Sequence, residues 1–161
     1  MRGLKPVAIL AEDHTTLALL FARHQEALVT RSWARAARLL DHYRKRLEYR
    51  ISLEEQYLLP YGADKNMPPE WQSYIAEHRR LEELLNSTCA RLATARRRGV
   101  TASALIALLD DEKTLKHVLE QHLQREEEQF SPASQDALPE AVSSELMLAL
   151  MHTEAGLAQR H

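Results

Sequence analysis

At 161 residues the chain is long enough to bury a sizeable core, and 45% apolar with 27% charged residues is ordinary for a globular protein. A formal net charge of −2 gives no reason to expect nucleic acid or an anionic membrane as partner. The single cysteine, Cys89, excludes an internal disulfide and suits a reducing compartment.

Only about six apolar-leaning residues precede Glu12 and Asp13, so no signal peptide is expected. The longest apolar run, Leu146 to Met151, is too short to span a bilayer. A cytoplasmic location is the expectation. The basic clusters Arg44-Lys45-Arg46 and Arg96-Arg97-Arg98 lack interleaved aromatics and read as solvated helix surface. Cys89, on a helical stretch, reads as a buried apolar residue rather than a redox thiol.

Four glycines and six prolines punctuate long periodic stretches. Pro6 opens helix one, whose inward stripe runs Val7, Leu10, His14, Leu17, Phe21, His24 and Leu28. Ser32 is a candidate cap for helix two, with Trp33, Ala36, Leu40, Tyr43, Leu47, Arg50, Glu54 and Tyr57 inward. That helix is expected to end near Pro60 and Gly62. Pro68-Pro69 precede helix three, which carries Trp71, Tyr74, His78, Leu81, Leu85, Thr88 and Leu92 and closes at Gly99. Thr101 can cap helix four, with Leu105, Leu108, Glu112, Leu115, Leu119, His122, Glu126 and Gln129 inward. Pro132 stops it, and Pro139 starts a shorter fifth helix. Alternating strand patterns are absent. The expected fold is all-α: an up-down-up-down four-helix bundle over about 4–132 with a C-terminal helix over about 139–158, one domain spanning 1–161. The fifth helix, with Val142, Leu146, Leu150, Met151 and Leu157, either caps the bundle or covers a protein partner or second copy.

One segment is written twice. Residues 48–60 read EYRISLEEQYLLP, and residues 120–132 read EQHLQREEEQFSP. In the second copy His122 stands one helical turn before Glu126; in the first, Glu54 is kept but Arg50 replaces the histidine. An earlier pair, AEDHTTL around His14 and AEHRRL around His78, completes each half. Antiparallel packing then brings His14, Glu54, His78, His122 and Glu126 to one layer near the Pro60/Pro132 end. Imidazole with carboxylate suits iron, manganese or zinc, and two bridging carboxylates suit a metal pair. Buried unpaired, such groups would cost several kcal/mol each, so they must meet one another or a metal.

The two EE-x-x-x-x-P segments, the H-x-x-x-E of His122 and Glu126, and the D-H and E-H-R-x-L motifs at His14 and His78 resemble the hemerythrin-like, HHE cation-binding family. The LPEAVSSELM segment is similar to the trailing helix of many bacterial members. This resemblance implies a non-haem di-iron centre bridged by two carboxylates, which binds oxygen or senses oxygen, nitric oxide, peroxide or iron. It makes His14, Glu54, His78, His122 and Glu126 the metal ligands. By family geometry His14 and Arg50 belong to one metal, His78 and His122 to the other. Tyr74, one turn before His78, stands where oxygen-carrying members have an extra histidine. The ferritin-like alternative uses Glu-x-x-His, and none of the eight histidines here follows that pattern.

Arg50 sits at a ligand position but its guanidinium offers no lone pair to a metal. Two arrangements are physically reasonable. It forks onto Glu54 and Glu126 in place of the second metal, leaving a mononuclear or empty site, or it swings along the bundle and leaves room for two irons. Oxygen carriage is therefore not expected. The expected function is an iron-binding sensor or binder of a small diatomic or peroxide ligand, binding rather than catalysing. The alternatives are a metal-free bundle acting through protein partners and a di-iron oxidoreductase. His42, His117, His152 and His161 read as surface residues. His24 lies about 15 Å beyond His14, level with Tyr43, Thr88 and Glu112, and a buried His24–Glu112 pair is expected there rather than a second metal site.

Overall fold

The computed structural model describes residues 6–61, 69–129 and 139–158. Helix α1 spans Pro6–Val29 and α2 Trp33–Leu53, followed by a π turn at Glu54–Leu58 and a 3-10 turn at Leu59–Tyr61. Helices α3 (Pro69–Arg98), α4 (Ala102–Gln129) and α5 (Glu140–Ala158) complete the order, and no strand occurs among the described residues.

Cross-helix bonds fix the directions. Asp13 meets Arg46 and Arg50 while His24 meets Ala36, so α1 and α2 run antiparallel. Glu77–His122 with Arg91–Asp111 sets the same relation for α3/α4, and His14–Glu126 with His24–Glu112 sets it for α1/α4. The result is an up-down-up-down bundle with an added helix, all-α.

The turn chemistry is partly what composition foretold. Gly99 ends α3 with φ +90°, and Thr101 Oγ1 accepts from the Ala104 amide at 3.1 Å to cap α4. Ser32 differs from expectation. It precedes α2 but makes no side-chain cap bond, with ψ 65° rather than extended. Its amide instead donates to Ala27 O at 2.8 Å, closing the end of α1 around Arg31 at φ +59°.

The inward stripes are buried as their spacing demands: Leu17, Phe21 and Leu28 of α1 meet Leu40, Tyr43 and Leu47 of α2, with Leu81, Leu85 and Leu92 of α3 and Leu108 and Leu115 of α4. The side chains of Val7, Leu10, Trp71 and Gln129 lie outside the described residues, as does Pro132. Inside this core His24 is fully buried, its Nε2 at 2.5 Å from Glu112 and its Nδ1 donating to Ala36 O at 2.8 Å. The expected pair is there. His42 is half-buried, His117 and His152 are exposed, and His161 lies outside the described residues.

Helix α5 closes one end. Leu146 is fully buried with Leu53, Leu58, Leu59 and Tyr74, and Tyr49 donates its hydroxyl to Ala149 O at 2.9 Å. No described helix is long and apolar enough to cross a membrane. Cys89 is half-buried, and burial raises its thiol above the ordinary value.

Candidate metal centre

The α2 pattern changes where the site begins. After Leu53 the helix loosens into a π turn, with the Leu59 amide donating to Glu54 O five residues back. An extra residue per turn re-aims side chains, and such turns recur at functional sites. Here it lets adjacent residues, Glu54 and Glu55, both reach His78 on α3.

Glu54 is the hub, fully buried. Its Oε2 lies 3.1 Å from His78 Nε2 and 3.5 Å from His122 Nε2. One ligand atom from each of Glu54, His78 and His122 falls within 4.8 Å of the others. The outer nitrogens are held too: His78 Nδ1 is 2.9 Å from Glu55 and His122 Nδ1 is 3.4 Å from Glu77. A carboxylate behind each imidazole fixes the orientation of the ring, as behind metal-bound histidines generally. Both Nε2 atoms are thereby turned inward.

The other half is built differently. Arg50, 2% exposed, donates from Nε to Glu54 Oε1 at 2.7 Å, from one terminal nitrogen to Asp13 Oδ2 at 3.1 Å and from the other to Glu126 Oε1 at 2.5 Å. Three carboxylates surround one guanidinium. Glu126 Oε2 also meets His14 Nε2 at 3.2 Å, and Asp13 meets Arg46. Of the two arrangements open to Arg50, the fork onto Glu54 and Glu126 is the one found. The Arg44-Lys45-Arg46 cluster needs correcting. Arg44 and Lys45 pair with Asp41 near the surface, but Arg46 is buried on Asp13.

Burial opposes charge on Glu54, yet hydrogen bonds from His122 and His78 and the Arg50 cation outweigh it and hold its carboxyl far below the usual range. Burial likewise works against the Arg50 charge, and Glu126, Glu54 and Asp13 overcome it, so the guanidinium stays charged. His78 is raised because the bonds and charges of Glu54 and Glu55 exceed its burial penalty. Burial, then the Glu54 and Glu126 charges, push the Tyr74 phenol up.

The donor set suits one metal ion. Glu54, His78 and His122 could hold it through inward-facing lone pairs. At the other half the donors Glu126 and His14 are present, and the Arg50 guanidinium lies between Glu54 and Glu126 and bonds both. All five residues singled out by the sequence, His14, Glu54, His78, His122 and Glu126, thus lie in one bonded network. Asp13, Glu55 and Glu77 were missed. Their signal was in the motifs: an acid directly precedes each first-helix histidine, and a second Glu follows Glu54. The repeat shows in the contacts as well, since Glu77 meets His122 as Asp13 meets Arg50.

A family model described as the hemerythrin HHE cation-binding domain matches residues 5–134. Comparison with curated proteins and with solved structures finds no match. With that match covering all four bundle helices, the chain belongs to the hemerythrin HHE cation-binding family.

Proposed function

We propose that this protein is a mononuclear non-haem iron-binding sensor of a small diatomic or peroxide ligand, not an oxygen carrier. The observation that carries the reading is the meeting of both histidine Nε2 atoms on one Glu54 oxygen while Arg50 occupies the neighbouring half. Two imidazoles and one carboxylate are the ligand set of non-haem ferrous sites with open positions. Iron there would supply those positions to an exogenous ligand. The chain's own residues do the rest. Glu55 and Glu77 orient the imidazoles, Arg50 holds Glu54 and Glu126 in place and offsets part of their charge, and the Leu146 cluster keeps bulk water from the site. His14 and Glu126 serve the half that Arg50 fills. A half-buried lone thiol supports a reducing, cytoplasmic setting.

Nitric oxide titrated into the ferrous-loaded protein, followed by electron paramagnetic resonance, tests this. One paramagnetic centre per chain should respond. A coupled, resonance-silent pair of irons would contradict it.

A second reading, a metal-free bundle acting through protein partners, draws on the same cluster. The Arg50 guanidinium bonds one oxygen of each of Glu54, Glu126 and Asp13 and offsets part of their charge.

A further inference from the structure

Charge is segregated along the bundle axis. The α1–α2 and α3–α4 connections both lie at the end opposite the metal centre. The first carries Arg31, Arg35 and Arg38 there, and the second carries Arg91, Arg96, Arg97 and Arg98. Glu54 meets His78, and further along Leu40 and Leu92 line one cleft, so α2 and α3 bring both sets to the same end. All of these arginines are exposed. No Asp or Glu occurs in 27–40 or in 84–109. Of the next acids along the chain, Asp111 is committed to Arg91 at 2.6 Å and Glu112 to His24. Arg97 donates to Thr94 Oγ1 at 3.2 Å, and among the described residues the other five form no ion pair. A chain of net charge −2 thus has a cationic end built from arginine, whose planar fork matches a carboxylate.

An apolar groove opens at the same end. It lies between α3 and α4, measures about 570 Å³, and is lined by Ala90, Ala95, Ala104, Ala107 and Leu108. Small residues on both helices leave this space unfilled. From Ser87 to Arg98 it follows α3 for about 16 Å, the length of a short helical segment. Arg98 lines it, and Arg97 is tied to it through Thr94. Val29 and Ile106 stand five residues beyond His24 and six before Glu112, so they share this end, 63% and 61% exposed. A trough of apolar surface beside unpaired guanidinium groups offers both halves of a protein-recognition surface.

We propose that this end of the bundle docks an acidic segment of a partner protein, with apolar side chains in the α3–α4 groove and carboxylates on Arg97 and Arg98. Nucleic acid fits less well. The one aromatic in 27–40 and 84–109 is Trp33, which packs against the core, and phosphates have no use for the groove. A second copy meeting this end symmetrically would set arginine against arginine. The surface shares no residue with the metal centre, so the two readings stand or fall separately.

The test is titration of the full-length, nitrogen-15-labelled chain with a synthetic helical peptide of about 15 residues, leucines spaced three and four apart and glutamates elsewhere. Amide shifts should move saturably at Ala90, Ala95, Ala104 and Ala107, and stay still when glutamine replaces the peptide's glutamates. Arg97→Glu with Arg98→Glu should weaken Kd about tenfold or more and keep the helical circular dichroism. Ala104→Gln with Ala107→Gln, which fills the groove without changing charge, should weaken it by a similar factor. Absence of saturable shifts would overturn the proposal, as would unchanged affinity in either double variant. A leucine-free glutamate peptide binding as tightly would reduce the surface to charge alone and overturn the groove. Duplex DNA moving the same amides at lower concentration would make it a nucleic-acid surface instead. A dimeric mass with these amides already broadened before any peptide is added would assign it to a second copy, which also overturns the proposal. Should the groove-filling variant fold poorly, the arginine variant decides.

Discussion

At the scale of single residues, the proposed restriction to one metal rests on Arg50. A unit charge about 4 Å from another costs roughly 4 kcal/mol at an effective dielectric near 20, so a divalent ion beside it faces about 8 kcal/mol. Glu54, Glu126 and Asp13 offset that charge only by spending their own bonds on it. Arg50→His removes the cation and restores the pattern of the second repeat, in which His122 precedes Glu126. The variant should take up two irons per chain, read by elemental analysis, and gain an oxo-bridge absorption band in air; unchanged iron content would mean Arg50 does not limit loading. Glu55 and Glu77 act through the imidazoles. Glu55→Gln or Glu77→Gln should weaken iron binding by about 10- to 100-fold while leaving the helical spectrum intact, and equal Kd values would rule out their orienting role. Sequence reading reached Arg50 because a repeat makes its own exceptions visible. It passed over Asp13, Glu55 and Glu77 because a carboxylate beside a histidine has no periodic signature that tells an inward from an outward direction.

Among the elements, two polar layers interrupt the bundle core, and the one without a metal role is a stability element. His24 and Glu112 are buried together between α1 and α4, and Gln25 adds a bond to Glu112 at 3.2 Å. Removing Glu112 leaves His24 Nε2 buried without a partner while Nδ1 keeps its bond to Ala36 O. Glu112→Leu should therefore cost about 1–3 kcal/mol, lowering Tm by roughly 2–12 °C in thermal unfolding. The double variant His24→Leu with Glu112→Leu should recover most of that loss; if it does not, the pair is not the source. This layer was legible from heptad-like spacing alone, since His24 and Glu112 both fall on inward stripes at one level. The π turn at Glu54–Leu58 was not. A helix period carries on through such a turn in sequence, and only the backbone bond from Leu59 to Glu54 reveals the extra residue. Ser32 shows the same limit. Its residue type suits a cap, but its amide is committed to the end of α1.

For the whole molecule, the two halves keep a common plan and differ in content. Each has an acid-His pair on its first helix and a carboxylate on its second, and the His14–Glu126 and His78–Glu54 contacts cross between halves. One half turns two imidazoles onto Glu54, while the other is filled by a guanidinium. Asp13, Glu54 and Glu126 against Arg46 and Arg50 leave one net negative charge in the buried cluster, so one divalent ion would bring it to +1 and two to +3. Helix α5 lies over that end through Leu146, so of the two sequence expectations for this helix, capping is the one found. The bundle itself was fully legible, because its four stripes and proline and glycine punctuation agree with one packing. The most direct measurement is iron bound per chain after anaerobic loading of the wild-type protein with excess ferrous iron and removal of loosely held metal. One tightly bound iron is the predicted result. Two tightly bound irons per chain, with Arg50 still in place, would contradict it.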